Sequence, residues 1–142
     1  MPSRDDPGRT HWLKALGHAR GPLPDAWLED GRLGVLRRTG FPRRPRMVPG
    51  DRLVYYASVW RRVFAVVEVV SEPTDAADGT RDHRRWPWSV AVEPLLVVPV
   101  LDAAPPVEAI GVAARSMSQQ SHIRLTPAQY ALAVEAIGSV GR

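Results

Sequence analysis

The sequence contains no cysteine, and Lys14 is the single lysine among its 142 residues. Without cysteine there is no disulfide framework, no thiolate zinc site and no cysteine nucleophile. Apolar runs such as LLVVPVL at 95–101 are far shorter than the roughly 20 residues that span a bilayer. The N-terminal stretch MPSRDDPGRT lacks the apolar segment of a secretion signal. These absences predict a soluble, cytoplasmic protein with no membrane partner.

Positive charge comes almost entirely from arginine. Eighteen arginines accompany the single lysine, the net charge is +4 and the pI is about 10.3. Arginine suits bidentate recognition of phosphate. However, the many alanine, glycine, proline and valine residues favour GC-rich codon usage as the origin of the excess as a whole. The clustering of arginines at 37–38, 43–46, 61–62 and 81–85 is more informative.

The chain is long enough for one domain with a core. Residues 1–9 are polar and predict a disordered tail, which leaves 10–142 as a single domain. Apolar patterning predicts strands at 10–16, 52–57, 63–72, 86–100 and 121–126 and a short helix at 25–30. The segment 31–50 is predicted to be irregular with one helical turn at 32–38, and 73–85 is predicted to be a loop. These elements predict an α+β fold, a curved mixed sheet or open barrel flanked by a few helices.

The last element carries the clearest signal. Thr126 is a predicted N-cap, Pro127 suits the first helical position, and Gln129 completes a capping box. The predicted helix runs to Gly138, and its inward stripe is Tyr130, Val134 and Ile137.

Aromatic side chains stand beside arginine pairs at two places. Trp60 precedes Arg61–Arg62, and Trp86 follows Arg84–Arg85. An aromatic face that stacks on a nucleobase contributes about 1–3 kcal/mol, while arginine binds the phosphate. We therefore predict phosphate contacts from Arg61, Arg62, Arg84 and Arg85.

The alternative is that the tryptophans are core residues, which is their usual position. For Trp12 and Trp88 the two interpretations are evenly balanced, whereas Trp60 is expected at the surface because it lies in a turn between Ser58 and two arginines.

Two further features concern polar side chains. The segment 114–126 presents serine, glutamine and histidine in a row, which either reads a base edge or forms a solvated loop. Glu68 interrupts an otherwise apolar strand, and we expect it to pair with a neighbouring arginine. The four histidines are scattered without metal-ligand spacing, so neither a metal nor a cofactor is expected.

The order of motifs along the chain resembles a known family. In sequence they read THWL, MVPGDRLVYYAS, VFAVVEVVSE, WPWSVAVEPLLVVP and SHIRLTPAQY. This order resembles the EVE domain of the PUA-like superfamily, a relative of the YTH and ASCH domains. The matching residues are Trp12–Leu13, Gly50–Asp51, Tyr56, Ser58, Glu68–Val69, Trp88, Val90 and Pro94.

The resemblance implies a pseudobarrel that recognises one modified base, flipped out of DNA or RNA, without catalysis. With Trp60 from the residue patterns, the predicted base-pocket residues are Trp12, Tyr56, Ser58, Trp60, Trp88 and Ser121. The chain departs from the family pattern at Ala57, where a histidine is frequent, and at Val63–Phe64, where a glycine is expected. The resemblance also implies protein partners from restriction or RNA-modification systems.

Two other functions stay open at this point. An ASCH-like hydrolase of modified nucleosides would use a lysine, a threonine and a glutamate, for which Lys14, Thr10 and Glu68 are the available residues. A protein-interaction module would use the apolar hairpin of 51–64 as its docking surface.

Overall fold

The computed structural model describes residues 9–17, 22–28, 33–75 and 87–140. Nearly all of the predicted tail at 1–9 lies outside these residues, and so do Arg84, Arg85 and Trp86. Among the described residues, no helix combines the length and the apolarity needed to cross a membrane.

The described residues form a sheet and one α-helix. The strands are β1 His11–Leu16, β2 Arg38–Phe41, β3 Arg52–Ala57, β4 Arg62–Val69, β5 Thr74–Asp75, β6 Trp88–Val97 and β7 His122–Leu125, and the helix is α1 Pro127–Gly138. Four 3₁₀ turns lie at Leu33–Leu36, Leu101–Ala103, Val107–Ile110 and Ala114–Met117.

The sheet is mixed. Its order is β2-β6-β4-β3-β1-β7, with the short β5 paired to β6. β1 and β3 run parallel, while β3–β4, β4–β6, β2–β6, β5–β6 and β1–β7 are antiparallel. The sheet curls into a half-barrel with α1 beside it, which confirms the predicted α+β class.

The centre of the sheet is buried on both faces. Nearly every side chain of β3 and β4 is buried, as the apolar run in both strands predicts. Register shifts lie between Tyr55 and Tyr56 and between Val66 and Val67, and such irregularities increase strand bending. Phe64 packs in the core with its ring centroid 4.9 Å from that of Trp27.

The predicted helix at 25–30 is wrong for its described part. Residues 25–28 form a turn, and residues 29–30 lie outside the described residues. Tertiary contacts override the helical pattern here: Trp27 is fully buried and its Nε1–H donates to the Val98 carbonyl at 2.8 Å.

The structure also contains a strand that the sequence does not predict. β2 lies in the segment expected to be irregular. Its sequence, RTGF, contains only one large apolar residue and so gives no strand signal; the segment is a strand because it pairs with β6. The helical turn expected nearby is present as the 3₁₀ turn at Leu33–Leu36. Likewise, β5 occupies the start of the predicted 73–85 loop.

Helix α1 agrees with prediction at its N-terminus. The Gln129 N–H donates to Thr126 Oγ1 at 3.1 Å, and the Thr126 N–H donates to Gln129 Oε1 at 2.9 Å. On the inward face Tyr130 and Ile137 are buried, but Ala133 is the buried residue between them and Val134 is only half-buried. Both sets of positions have helical spacing, but the buried stripe passes through Ala133 and not through the predicted Val134.

Candidate functional site

An open cleft of about 1070 Å³ lies where the parallel strands β1 and β3 reach their carboxyl ends. Three chain segments line it together with Pro42, which follows β2. The lining residues are Lys14, Ala15, Gly17, Pro42, Tyr56, Ser58, Val59, Arg61, Ala114, Arg115, Met117, Ser118, Gln119, Gln120 and Ser121.

Backbone hydrogen bonds fix the walls of the cleft to the sheet. The Ser58 N–H donates to the Leu16 carbonyl at 2.9 Å, which attaches the β3–β4 turn to the end of β1. The Ala15 N–H donates to the Ser121 carbonyl, also at 2.9 Å, which attaches the 114–121 segment to the other side of β1. Buried Met117 anchors the middle of that segment. The cleft therefore has preformed walls.

Left-handed backbone conformations concentrate around this cleft. Among the described residues, three non-glycine residues have positive φ: Val59 at 76°, Arg61 at 58° and Gln119 at 60°. All three line the cleft. A non-glycine residue in this region costs on the order of 1–3 kcal/mol and tends to occur at functional sites.

Tyr56 supplies the aromatic surface of the cleft. Burial raises the pKa of Tyr56, nearby Arg61 opposes this shift, and Glu108 adds to it. The phenol is therefore protonated at neutral pH, and its O–H is able to donate a hydrogen bond to a group that enters the cleft.

Lys14 lies at the inner side of the cleft and is only 2% exposed. Its Nζ donates to the Ala15 carbonyl at 2.7 Å and lies 5.0 Å from the centroid of the Phe41 ring. Burial lowers the pKa of Lys14 to about 7. Burial also lowers the pKa of His122, and the charge of Lys14 lowers it further.

Solved structures of other proteins share this architecture. The YTH domain of Zygosaccharomyces rouxii MRB1 protein, in complex with N6-methyladenosine RNA, aligns with a TM-score of 0.60 at 9% identity, covering 94% of this chain and 89% of that chain. A hypothetical protein from Leishmania major aligns with a TM-score of 0.57 at 17% identity, covering 91% and 94%. The fold is PUA-like.

A third PUA-like neighbour is human THYN1 protein in complex with 5-methylcytosine containing DNA. It aligns with a TM-score of 0.50 at 13% identity, covering 89% of this chain and 97% of that chain. No family model and no curated protein matches the sequence. The predicted resemblance is thus confirmed at the level of the fold, and it extends over most of the chain.

Of the six predicted base-pocket residues, the cleft brings together three. Tyr56 and Ser58 line it from β3 and the following turn, and Ser121 lines it from the other wall. Ser121 Oγ lies 3.2 Å from Nδ1 of His122.

The three tryptophans of that prediction lie outside the cleft lining. Trp12 is half-buried on β1, where its Nε1–H donates to Asp51 Oδ2 at 3.3 Å and its ring meets His122 edge-on. Trp88 is half-buried on β6, with the guanidinium of Arg44 5.0 Å from the centroid of its ring.

Trp60, expected at the surface, is half-buried instead and packs against the core. Its Nε1–H donates to the Leu23 carbonyl at 2.8 Å, so its polar edge is directed towards the 22–28 segment. Neither Trp60 nor fully buried Phe64 belongs to the cleft lining, and the cleft is open.

The two described arginines predicted to bind phosphate have different positions. Arg61 is exposed and lines the cleft. Arg62 donates to the carbonyls of Asp102 at 3.0 Å and Ala104 at 2.7 Å, which ties the start of β4 to the 3₁₀ turn at Leu101–Ala103 and the residue after it.

Sequence patterns did not single out Arg115, Pro42, Met117 or Val59 as site residues. Arg115 lies in the segment whose polar character was noted, but its position at the cleft follows from the 3₁₀ turn at Ala114–Met117. The other three come from separate segments that meet only in the folded chain, so no local sequence signal identifies them as cleft residues.

The residues of the alternative hydrolase are dispersed. Glu68 pairs with Arg52, at 2.9 Å between Oε1 and Nε, as the strand pattern predicts. The Thr10 N–H donates to Asp51 Oδ1 at 3.0 Å. Lys14 lines the cleft, whereas Thr10 and Glu68 are absent from its lining.

Proposed function

We propose that the chain is a non-catalytic reader of nucleic acid that binds one modified nucleobase, flipped out of its strand, in the cleft at the ends of β1 and β3. The observation that carries this proposal is the open, preformed cleft on a PUA-like fold. Its volume of about 1070 Å³ is slightly above the roughly 300–1,000 Å³ typical of small-ligand sites. A base with its sugar therefore has room to enter.

The chemistry of the lining fits an extruded base. We assign stacking to Tyr56, the aromatic residue of the lining, of which 5% is exposed, and to the exposed ring of Pro42, while buried Met117 supports the wall behind them. An extruded base needs both stacking and hydrogen bonds to its exposed edge.

Neutral hydrogen-bonding side chains surround these apolar surfaces, and we assign base-edge recognition to Ser58, Gln119, Gln120 and Ser121. Two guanidinium groups at the same cleft, those of Arg61 and Arg115, are suited to the phosphates of the flipped nucleotide.

The structural neighbours support nucleic acid as the partner. One PUA-like neighbour is in complex with N6-methyladenosine RNA and another with 5-methylcytosine containing DNA. Because these neighbours include both an RNA and a DNA complex, both polymers belong in a binding test. A cytoplasmic location and a protein partner from a restriction or RNA-modification system stay predictions.

Binding of labelled single-stranded 12-mers tests the proposal. DNA and RNA oligonucleotides carrying N6-methyladenine, 5-methylcytosine or no modification are titrated by fluorescence anisotropy at one fixed salt concentration. We expect at least one modified oligonucleotide to bind more tightly than its unmodified counterpart. In Tyr56→Leu the affinity for that modified oligonucleotide should fall about 5- to 150-fold, the equivalent of the roughly 1–3 kcal/mol lost with one stacking contact.

Trp60→Phe is the matched control, because Trp60 is an aromatic residue of the same hairpin that does not line the cleft. It should keep the preference for the modified base. Far-ultraviolet circular dichroism checks that each variant is folded. If no oligonucleotide in the panel is preferred, or if Trp60→Phe loses affinity for the modified oligonucleotide while Tyr56→Leu keeps it, the cleft is not the base-binding site.

A further inference from the structure

A row of arginines leaves the cleft along the segment 42–48, which connects β2 to β3. Pro42 lines the cleft, and Arg43, Arg44 and Arg46 follow it directly in sequence. All three arginine side chains are exposed. The sequence pattern indicated this cluster, and its three arginines do not belong to the cleft lining.

The backbone of this segment is held in place from its inner side. Pro45 and Met47 are buried, Met47 to 1% exposure, and they alternate with exposed residues on the outer side. The Val48 N–H donates to Asp51 Oδ2 at 3.2 Å, which fixes the end of the segment. Two prolines restrict the backbone further. The arginines are therefore presented by an anchored chain, which reduces the entropy lost on binding.

Trp88 orients one of these side chains. The Arg44 guanidinium lies 5.0 Å from the centroid of the Trp88 ring, a cation–π contact. A guanidinium held over a ring retains N–H groups at its edge for an anion. Trp88, which does not line the cleft, thus supports an arginine next to it.

The local charge is positive. A shallow hollow of about 320 Å³ is lined by Arg44 and Arg46, and Glu72 is the one acidic residue in its lining. Among the described residues, Arg52 and Glu68 form the ion pair with a nitrogen–oxygen distance of 4 Å or less. Within that part of the chain, no carboxylate therefore neutralises Arg43, Arg44 or Arg46 at this distance.

We propose that Arg43, Arg44 and Arg46 form a phosphate-binding strip for the nucleotides next to the flipped base. The inference deepens the proposed function, because the strip starts at Pro42 on the edge of the same cleft. An extended chain covers at most about 3.6 Å per residue, so the strip spans up to roughly 11 Å.

A nucleic-acid backbone fits this surface better than an acidic peptide does. The arginines have fixed positions on an anchored segment, and a phosphodiester chain offers anions at regular intervals. The adjoining cleft adds neutral hydrogen-bonding groups suited to a base, which an acidic peptide would leave unused.

The salt dependence of binding tests the strip independently of the modified base. Binding of an unmodified single-stranded DNA 12-mer is measured by anisotropy at several sodium chloride concentrations. Each phosphate contact contributes about 0.7 to the slope of log K against log salt for a single strand. We expect Arg43→Gln, Arg44→Gln and Arg46→Gln each to reduce the slope by about 0.7, and the triple variant to reduce it by about 2.

Arg124→Gln is the matched control, because Arg124 is an exposed arginine on β7 that does not line the cleft. It should leave the slope unchanged. Arg44→Lys keeps the charge and should restore most of the slope lost in Arg44→Gln, which separates charge from misfolding. An unchanged slope in the triple variant overturns the strip, as does an equal decrease in Arg124→Gln.

The two proposals fail in different ways. If the modified base is not preferred but the triple variant still lowers the slope, the strip stands and the base-reading cleft fails. If the preference is present and the slope is unaffected by the triple variant, the cleft stands and the strip fails. If poly-glutamate binds as tightly as the oligonucleotide and depends equally on the three arginines, the partner is an acidic polypeptide and the strip as proposed is wrong.

Discussion

Lys14 illustrates how strongly a single position depends on its surroundings. An ammonium group is normally exposed, yet this one is 2% exposed between the sheet and the Phe41 ring. Its aliphatic stem tolerates burial, but the charged form loses most of its hydration. The pKa of Lys14 falls to about 7 for that reason. The side chain also lines the proposed binding cleft.

This shift predicts how stability depends on pH. The pKa of Lys14 is about 7 in the folded state and about 10.5 when solvated, so between these values the unfolded chain holds a proton that the folded chain has released. Stability should therefore rise with pH in this interval, by up to roughly 1.4 kcal/mol per pH unit. In Lys14→Met this contribution should vanish.

Urea unfolding from pH 7.5 to 9.0 measures the effect, since this range lies above the ordinary titration of histidine and largely below that of tyrosine. The difference between the variant and the parent isolates the lysine, because other groups contribute to both proteins. Parallel pH profiles for the two proteins would show that Lys14 keeps its proton in the folded state.

At the scale of elements, the β3–β4 turn both lines the cleft and contains residues with a strained backbone conformation. The turn at 58–61 connects two buried strands and places Ser58, Val59 and Arg61 at the cleft. Val59 has φ 76° although it is β-branched, and such residues rarely adopt this conformation. The turn therefore holds a conformation that its own sequence disfavours.

Val59→Asn should stabilise the protein by about 1 kcal/mol, because asparagine adopts the left-handed conformation more readily than valine. Val59 is 56% exposed, so little apolar burial is lost. The midpoint of urea unfolding should increase without a change in slope.

Val100→Asn is the control for that substitution. Val100 is 37% exposed and has an extended backbone with φ −127°. It should show no stabilisation. An equal gain in both variants would mean that replacing an exposed apolar side chain with a polar one, and not relief of backbone strain, stabilises the protein.

At the scale of the whole molecule, contacts between distant segments hold the half-barrel together. Trp27 connects the 22–28 segment to the end of β6 through its bond to the Val98 carbonyl. Trp60 connects the same segment to the hairpin turn through the Leu23 carbonyl. Arg52 joins three elements, since it pairs with Glu68 on β4 and donates to the Tyr130 hydroxyl on α1.

Trp27→Ala should lower the free energy of unfolding by about 3–5 kcal/mol, the range for truncation of a large buried aromatic residue. Trp60→Ala should cost less, because that side chain is only half-buried. Urea unfolding of both variants measures the comparison. A loss in Trp60→Ala as large as that in Trp27→Ala would contradict the view that Trp27 is the main anchor of the segment.

Sequence patterns predicted several elements because their signals are local. The capping box of Thr126 and Gln129 depends on residues three positions apart, and the hairpin of β3 and β4 depends on two apolar runs around a turn. Tyr56, Ser58 and Ser121 were predicted site residues that do line the cleft. Their assignment came from the resemblance, which carries information about tertiary structure.

Other features have no local signal. β2 is a strand because β6 pairs with it, and the 25–28 turn is not helical because Trp27 is held by Val98. The orientation of Trp60 depends on the distant Leu23 carbonyl.

The sequence by itself determined the α+β class, the boundaries of the capped helix and the buried central hairpin, because each follows from periodicity and capping within short stretches. Tertiary structure decided which side chains share the cleft. The ends of β1 and β3 meet only when these strands pair in parallel across about 40 residues, as Lys14 and Tyr55 do. It also decided that Trp12, Trp60 and Trp88 do not line the cleft, since each is half-buried and contacts a distant group: the Asp51 carboxylate, the Leu23 carbonyl and the Arg44 guanidinium, respectively.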